Sequence, residues 1–139
     1  MIQLMGLSAI GIIAGILLAL YLKVVQLVTG NQAYELLYAT DYIPFLQDLR
    51  PSFLAGGIFH NVFCIVSVIA LFYLLKFIGF EKKMLPYFLV YTIGSAMLFS
   101  LTALSEHTPA ITDFSAWMHW IVGHVIYSAA VAVLIKRWL

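Results

Sequence analysis

Four long apolar stretches, at residues 4–28, 52–77, 86–104 and 114–134, take up most of this 139-residue chain and constrain its fold above all else. Each has roughly twenty or more residues, enough at about 1.5 Å rise per residue to cross about 30 Å of hydrocarbon as a helix. A backbone crossing lipid must satisfy its own hydrogen bonds, which predicts helices, and sustained alternation of the kind a barrel strand needs is absent. Charged residues are 9% of the chain and hydrophobic ones 64%. A soluble domain carries about a quarter charged residues, so a soluble bundle of this composition has no means of covering its surface. The first stretch lacks a basic start and is too long for a cleavable leader, so it reads as a true span. The expected fold is all-α: one integral membrane domain, a four-helix transmembrane bundle.

The loops suggest an orientation. Lys76, Glu81, Lys82 and Lys83 fall between the second and third spans, and Lys136 and Arg137 close the chain. The first loop carries Glu35, Asp41, Asp48 and Arg50, and the third carries Glu106 and Asp113. Cations gather on one side, which predicts cytoplasmic N- and C-termini. Lys23, near the other end of span one, has a stem long enough to snorkel to headgroups. With net charge +1 and no basic run beyond two residues, nucleic acid is not an expected partner. The single cysteine, Cys64, excludes redox chemistry that needs a cysteine pair and reads as a small core hydrophobe.

Residues 29–51 form a long connection rich in tyrosine and leucine. Two conformations suit it: a short amphipathic helix lying in the interface, or a segment folded back over the bundle mouth. Small residues recur on the spans. Ser8, Gly11 and Gly15 share one face of the first, Gly56 and Gly57 belong to the second, Gly94 to the third and Gly123 to the fourth. Such faces let helices approach closely within the chain, or bring copies together in a homo-oligomer or a larger membrane complex.

Ionisable side chains at membrane depth are costly and usually face a site. His60 lies nine residues after Pro51 and His124 ten after Phe114, which places both about 14–15 Å down their helices. Asn61 adjoins the first, and Ser128 lies one turn beyond the second. Three readings are open for this polar interior. Each imidazole is neutral and hydrogen-bonded, fixing helix contacts. Alternatively, the pair lines a hydrated path for protons, ions or a small solute, since imidazole titrates near neutral pH. In the third, both imidazoles ligate haem b, with Gly56, Gly57 and Gly123 making room and Lys23 and Arg50 meeting its propionates.

A second polar group is expected at the outer mouth: Lys23, Arg50, Glu106, His107, Asp113 and His119. Its spacing matches no established ligand pattern, so a solvated loop is expected and no metal. No Asp or Glu lies within a span, and no serine-histidine or paired-carboxylate arrangement is present, so no catalytic residues are assigned.

The run His60-Asn61-Val62-Phe63-Cys64-Ile65-Val66 resembles the second half of the YagU-like inner-membrane proteins of bacteria. The Gly123-His124 pair followed by Lys136-Arg137 is similar to that family's last span, and Gly11-x-x-Ala14-Gly15 with Lys23 to its first. The resemblance implies a multi-span protein of the bacterial inner membrane without established catalytic activity, and it covers three short segments. The expected function is therefore a small non-enzymatic membrane protein whose histidine-containing interior passes protons, ions or a small solute. A bis-histidine haem b anchor and an accessory subunit of a larger complex are the alternatives.

Overall fold

The computed structural model describes residues 1–39, 53–105 and 109–139, and the Phe53 side chain is not included. Four α-helices dominate: α1 (Ile2–Thr29), α2 (Phe53–Phe77), α3 (Met84–Leu98) and α4 (Phe114–Trp138). Two short 3-10 helices join them, η1 (Gln32–Leu37) after α1 and η2 (Phe99–Leu104) continuing α3. No strand occurs among the described residues. All four spans are long and apolar enough to cross a membrane, the third by counting α3 and η2 together. The chain is a small integral membrane protein of the expected all-α class.

Local chemistry sets the helix ends. α1 stops at Gly30, whose left-handed φ of 72° lets its N–H cap the Gln26 carbonyl. Asn31 then starts η1, its side-chain oxygen accepting from the Ala33 N–H at 2.9 Å. Asp113 caps α4 in the same way, accepting from the Ala116 N–H at 2.9 Å. Gly79, with φ 73°, turns the chain between α2 and α3. The sequence places the start of span three at Pro86; α3 begins two residues earlier, with Pro86 in the first turn where no N–H is needed. Toward its end the helix tightens into η2, where Ser100 Oγ donates to the Met97 carbonyl at 2.6 Å. Local hydroxyl-to-carbonyl bonds of this kind compete with regular α-helical pairing.

The helices alternate in direction, and both termini lie at one end. A Cβ at Gly6 would sit 3.1 Å from Leu139, and Lys76 at the end of α2 donates to Gln3. This is called the terminal end below, and the end carrying η1 the lid end. Close packing joins α1 to α2, α1 to α4, and α3 to α4. The remaining neighbours, α2 and α3, are not among the closely packed pairs.

Glycines make two of the three contacts possible. A Cβ at Gly11 would lie 2.8 Å from the Ile65 Cα, and one at Gly15 would lie 3.1 Å from Cys64 Sγ. Gly11 and Gly15 of α1 therefore face α2. Ser8, on the same face, bonds its own helix at the Leu4 carbonyl. A Cβ at Gly123 would lie 2.8 Å from Leu18 and 3.2 Å from Tyr21, so the missing side chain lets α4 come against α1. Gly56 and Gly57 lie under Tyr38, whose Cα would stand 2.7 Å from a Cβ at Gly56. Gly94 departs from the expected packing role, since nothing stands within 4 Å of a Cβ built there.

Of the two conformations expected for the first loop, η1 takes the second and folds back over the bundle. Its Ala33, Tyr34, Leu36 and Leu37 are buried. Asn31 Nδ2 donates to Ser115 Oγ at 3.1 Å, tying the lid to the start of α4. Lys23 extends toward the lid, donating to Gln26 Oε1 at 2.8 Å and lying 4.7 Å from the Tyr34 ring centre. Gln26 in turn donates to Glu35 Oε1 at 2.6 Å. Residues 40–51 of the loop lie outside the described residues.

Candidate functional site

The space that α2 and α3 leave between them is a cavity of about 320 Å³. Its back wall is α4 with Leu18 of α1, its flanks are α2 and α3, and Leu36 and Leu37 of η1 cover the lid end. His60 and His124 both line it. The two imidazoles expected to share an interior therefore do so, although they come from helices that are not a closely packed pair.

Each ring has a main-chain anchor. His124 Nδ1 lies 2.8 Å from the Trp120 carbonyl one turn earlier, and a carbonyl only accepts, so Nδ1 carries the proton. That leaves Nε2 with its lone pair and no partner among the described residues. His60 is buried, with Nε2 3.4 Å from the Gly15 carbonyl and 3.6 Å from Cys64 Sγ. The Trp120 indole packs beside His124, ring centres 4.4 Å apart, and donates its N–H to the Ser95 carbonyl at 2.9 Å. One residue thus orients the histidine and fastens α4 to α3.

Three hydroxyls from three helices meet on the same cavity: Ser67 of α2, Tyr91 of α3 and Tyr127 of α4. Ser67 Oγ donates to the Cys64 carbonyl at 3.0 Å, and Tyr127 OH reaches the same oxygen at 3.4 Å. Ser67 Oγ and Tyr127 OH are 3.4 Å apart. The Tyr91 ring meets Tyr127 edge-on at 5.0 Å, but its buried hydroxyl has no partner among the described residues. Sequence reasoning missed Tyr91 and Tyr127. Tyrosine in a span reads as an interfacial or packing residue, and only the packing of α3 against α4, invisible to hydropathy, brings these two together.

Other expected members of the polar interior fall elsewhere. Asn61 faces a shallower groove between α1 and α2, shared with Lys23, Tyr34 and Tyr38, and donates to the Gly57 carbonyl at 2.9 Å. Ser128 is fully buried and bonds the Val125 carbonyl at 2.9 Å, away from the cavity lining. Both sit at plausible spacing from a histidine, but one residue along a helix is a rotation of about 100°. The glycines expected to admit a macrocycle do not: Gly56 and Gly57 face Tyr38, and Gly123 faces Leu18.

The mouth group is not assembled among the described residues. Asp113 is the α4 cap, Lys23 is under the lid, and His119 Nδ1 lies 3.2 Å from Tyr21 OH at the α1–α4 contact. Arg50, Glu106 and His107 lie outside the described residues. Among those described, no three His, Cys, Asp or Glu side chains come together as a metal site.

Below the hydroxyls, toward the terminal end, the interior is apolar and tightly filled. Val68, Phe72, Val131 and Ile135 are all essentially inaccessible. Among the described residues, no Asp, Glu, Lys or Arg lines the cavity. A mostly apolar pocket carrying a few convergent polar groups is the usual form of a small-molecule site. No protein-family model matches this chain, and neither a curated protein nor a solved structure does.

Proposed function

We propose that this is a non-enzymatic membrane protein that binds a small, largely apolar molecule between its helices. One observation carries the reading: two imidazoles and four hydroxyl side chains (Ser67, Tyr91, Ser95 and Tyr127), from three helices, face a single cavity of about 320 Å³ with no charged lining residue among the described ones. Passage of protons or ions fits less well. It needs a continuous polar path, and the layer of Val68, Phe72, Val131 and Ile135 interrupts one. The cationic second loop and C-terminus favour cytoplasmic termini.

Native mass spectrometry of protein extracted in mild detergent tests the binding reading. A small-molecule adduct is expected on the wild type and absent from Gly94→Leu, whose new side chain enters the cavity. Identical spectra for the two proteins, with or without an adduct, would remove the proposal. Liposomes carrying the protein should lose a pH gradient no faster than empty ones; faster loss, abolished by His124→Phe, would restore the passage reading.

A bis-histidine haem b anchor is a second reading, favoured by one detail. With Nδ1 bonded to a carbonyl, His124 would be the residue to hold the iron through its unprotonated Nε2. His60 would have to turn Nε2 from the Gly15 carbonyl. An absorption spectrum without a Soret band after expression with ample haem eliminates it.

A further inference from the structure

Among the described residues, both ends of the bundle are covered. Leu36 and Leu37, 4% and 5% exposed, cover the lid end, and the packed layer around Phe72 closes the terminal end. The side between α2 and α3 is different. These helices are joined by a short turn but do not pack closely along their length. Cavity residues on both edges of the gap are open to the surroundings, Phe63 on α2 at 51% and Val90 on α3 at 48%. Gly94 adds no side chain there to fill the space. In a bilayer that opening faces acyl chains, not water.

The polar lining also selects. Three buried side-chain oxygens have no partner among the described residues, those of Tyr91, Thr92 and Thr102, and of these residues only Tyr91 lines the cavity. By distance and angle its phenol donates to no group among the described residues, although Ser67 and Tyr127 lie near enough to interact with it, and its proton is open to a ligand. His124 Nε2, opposite in kind, is a free acceptor because Nδ1 holds the proton. The two rings flank Tyr127, at 5.0 Å for Tyr91 and 6.3 Å for His124. An alcohol hydroxyl answers both, accepting from Tyr91 and donating to His124. A hydrocarbon would leave both unsatisfied, and a carboxylate would bring a charge to a lining that has no cation among the described residues.

The geometry points to an uncharged, hydroxyl-bearing amphipath that enters from the lipid phase through the α2–α3 gap and sets its hydroxyl between Tyr91 and His124. This inference rests on the binding reading proposed above.

Cys64, the sole cysteine and a cavity residue, supplies the readout in full-length protein held in lipid nanodiscs. Its modification by N-ethylmaleimide is timed with dodecanol, dodecane or dodecanoate at equal mole fraction. Dodecanol should slow the reaction about tenfold more than either other probe, the scale of a hydrogen-bonded group in an apolar site. Tyr91→Phe, which removes no internal hydrogen bond, should erase that difference while leaving the unfolding midpoint unchanged. Equal protection by dodecanol and dodecane overturns the hydroxyl assignment and leaves the binding reading intact. No protection by any probe, with an unaltered rate in Gly94→Leu, overturns both. A charged, membrane-impermeant methanethiosulfonate that modifies Cys64 as fast as N-ethylmaleimide overturns entry from the lipid.

Discussion

Gly11 of α1 rests on the backbone of Ile65 in α2, so closely that a Cβ at Gly11 would lie 2.8 Å from the Ile65 Cα and 3.1 Å from the Cys64 carbonyl. Backbone cannot turn aside as a flexible side chain does, so the helices themselves would have to separate. Gly11→Val should destabilise the fold by about 1–3 kcal/mol, the usual scale of overpacking. Unfolding by sodium dodecyl sulfate, followed by circular dichroism, measures it. An unchanged midpoint would mean that α1 and α2 do not cross here.

Gly94 should behave in the opposite way. It is a helical glycine with no atom within 4 Å of a Cβ, so a larger residue meets no obstacle. Gly94→Ala should stabilise the protein by roughly 1 kcal/mol through helix propensity alone. The same unfolding assay reads the change, and destabilisation would show that the space beside Gly94 is filled.

Trp120 joins α4 to α3 through its N–H and the Ser95 carbonyl, 2.9 Å apart in the interior. Trp120→Phe keeps an aromatic ring but loses the donor. The expected cost is about 1–2 kcal/mol, the worth of a buried hydrogen bond with the loss of some packing. Faster amide exchange along α3, measured by mass spectrometry, should accompany it, with α2 unaffected.

The lid should be sensitive to alkali. Burial, with its hydrogen bond to Tyr38 and the neighbouring Glu35, holds the Tyr34 phenol above its ordinary value near 10. A raised value means that folding favours the neutral phenol. Its contribution is therefore complete below the ordinary tyrosine value and declines as pH climbs toward the folded one. Amide exchange in η1 should accelerate over that alkaline range. In Tyr34→Phe this pH dependence should be diminished, though the 2.6 Å bond to Tyr38 is lost as well.

The length and uninterrupted apolarity of the four stretches fix the class of fold and the number of spans, because hydrocarbon leaves a backbone no other way to bond itself. The same reading picks out His60 and His124, since titratable rings are rare in lipid. It extends to the small residues of α1, whose spacing announces a close neighbour but not which one. Three-dimensional packing decided that the neighbour is α2, that Asn61 and Ser128 turn from the cavity, and that Gly94 borders open space. It also brought in Tyr91 and Tyr127, which in sequence are two ordinary aromatic residues. Hydropathy reports how deep a residue lies, while function depends on which way it faces. Helix rotation is set by ridges, glycines and hydrogen bonds between segments far apart in the chain, and no single segment contains that information.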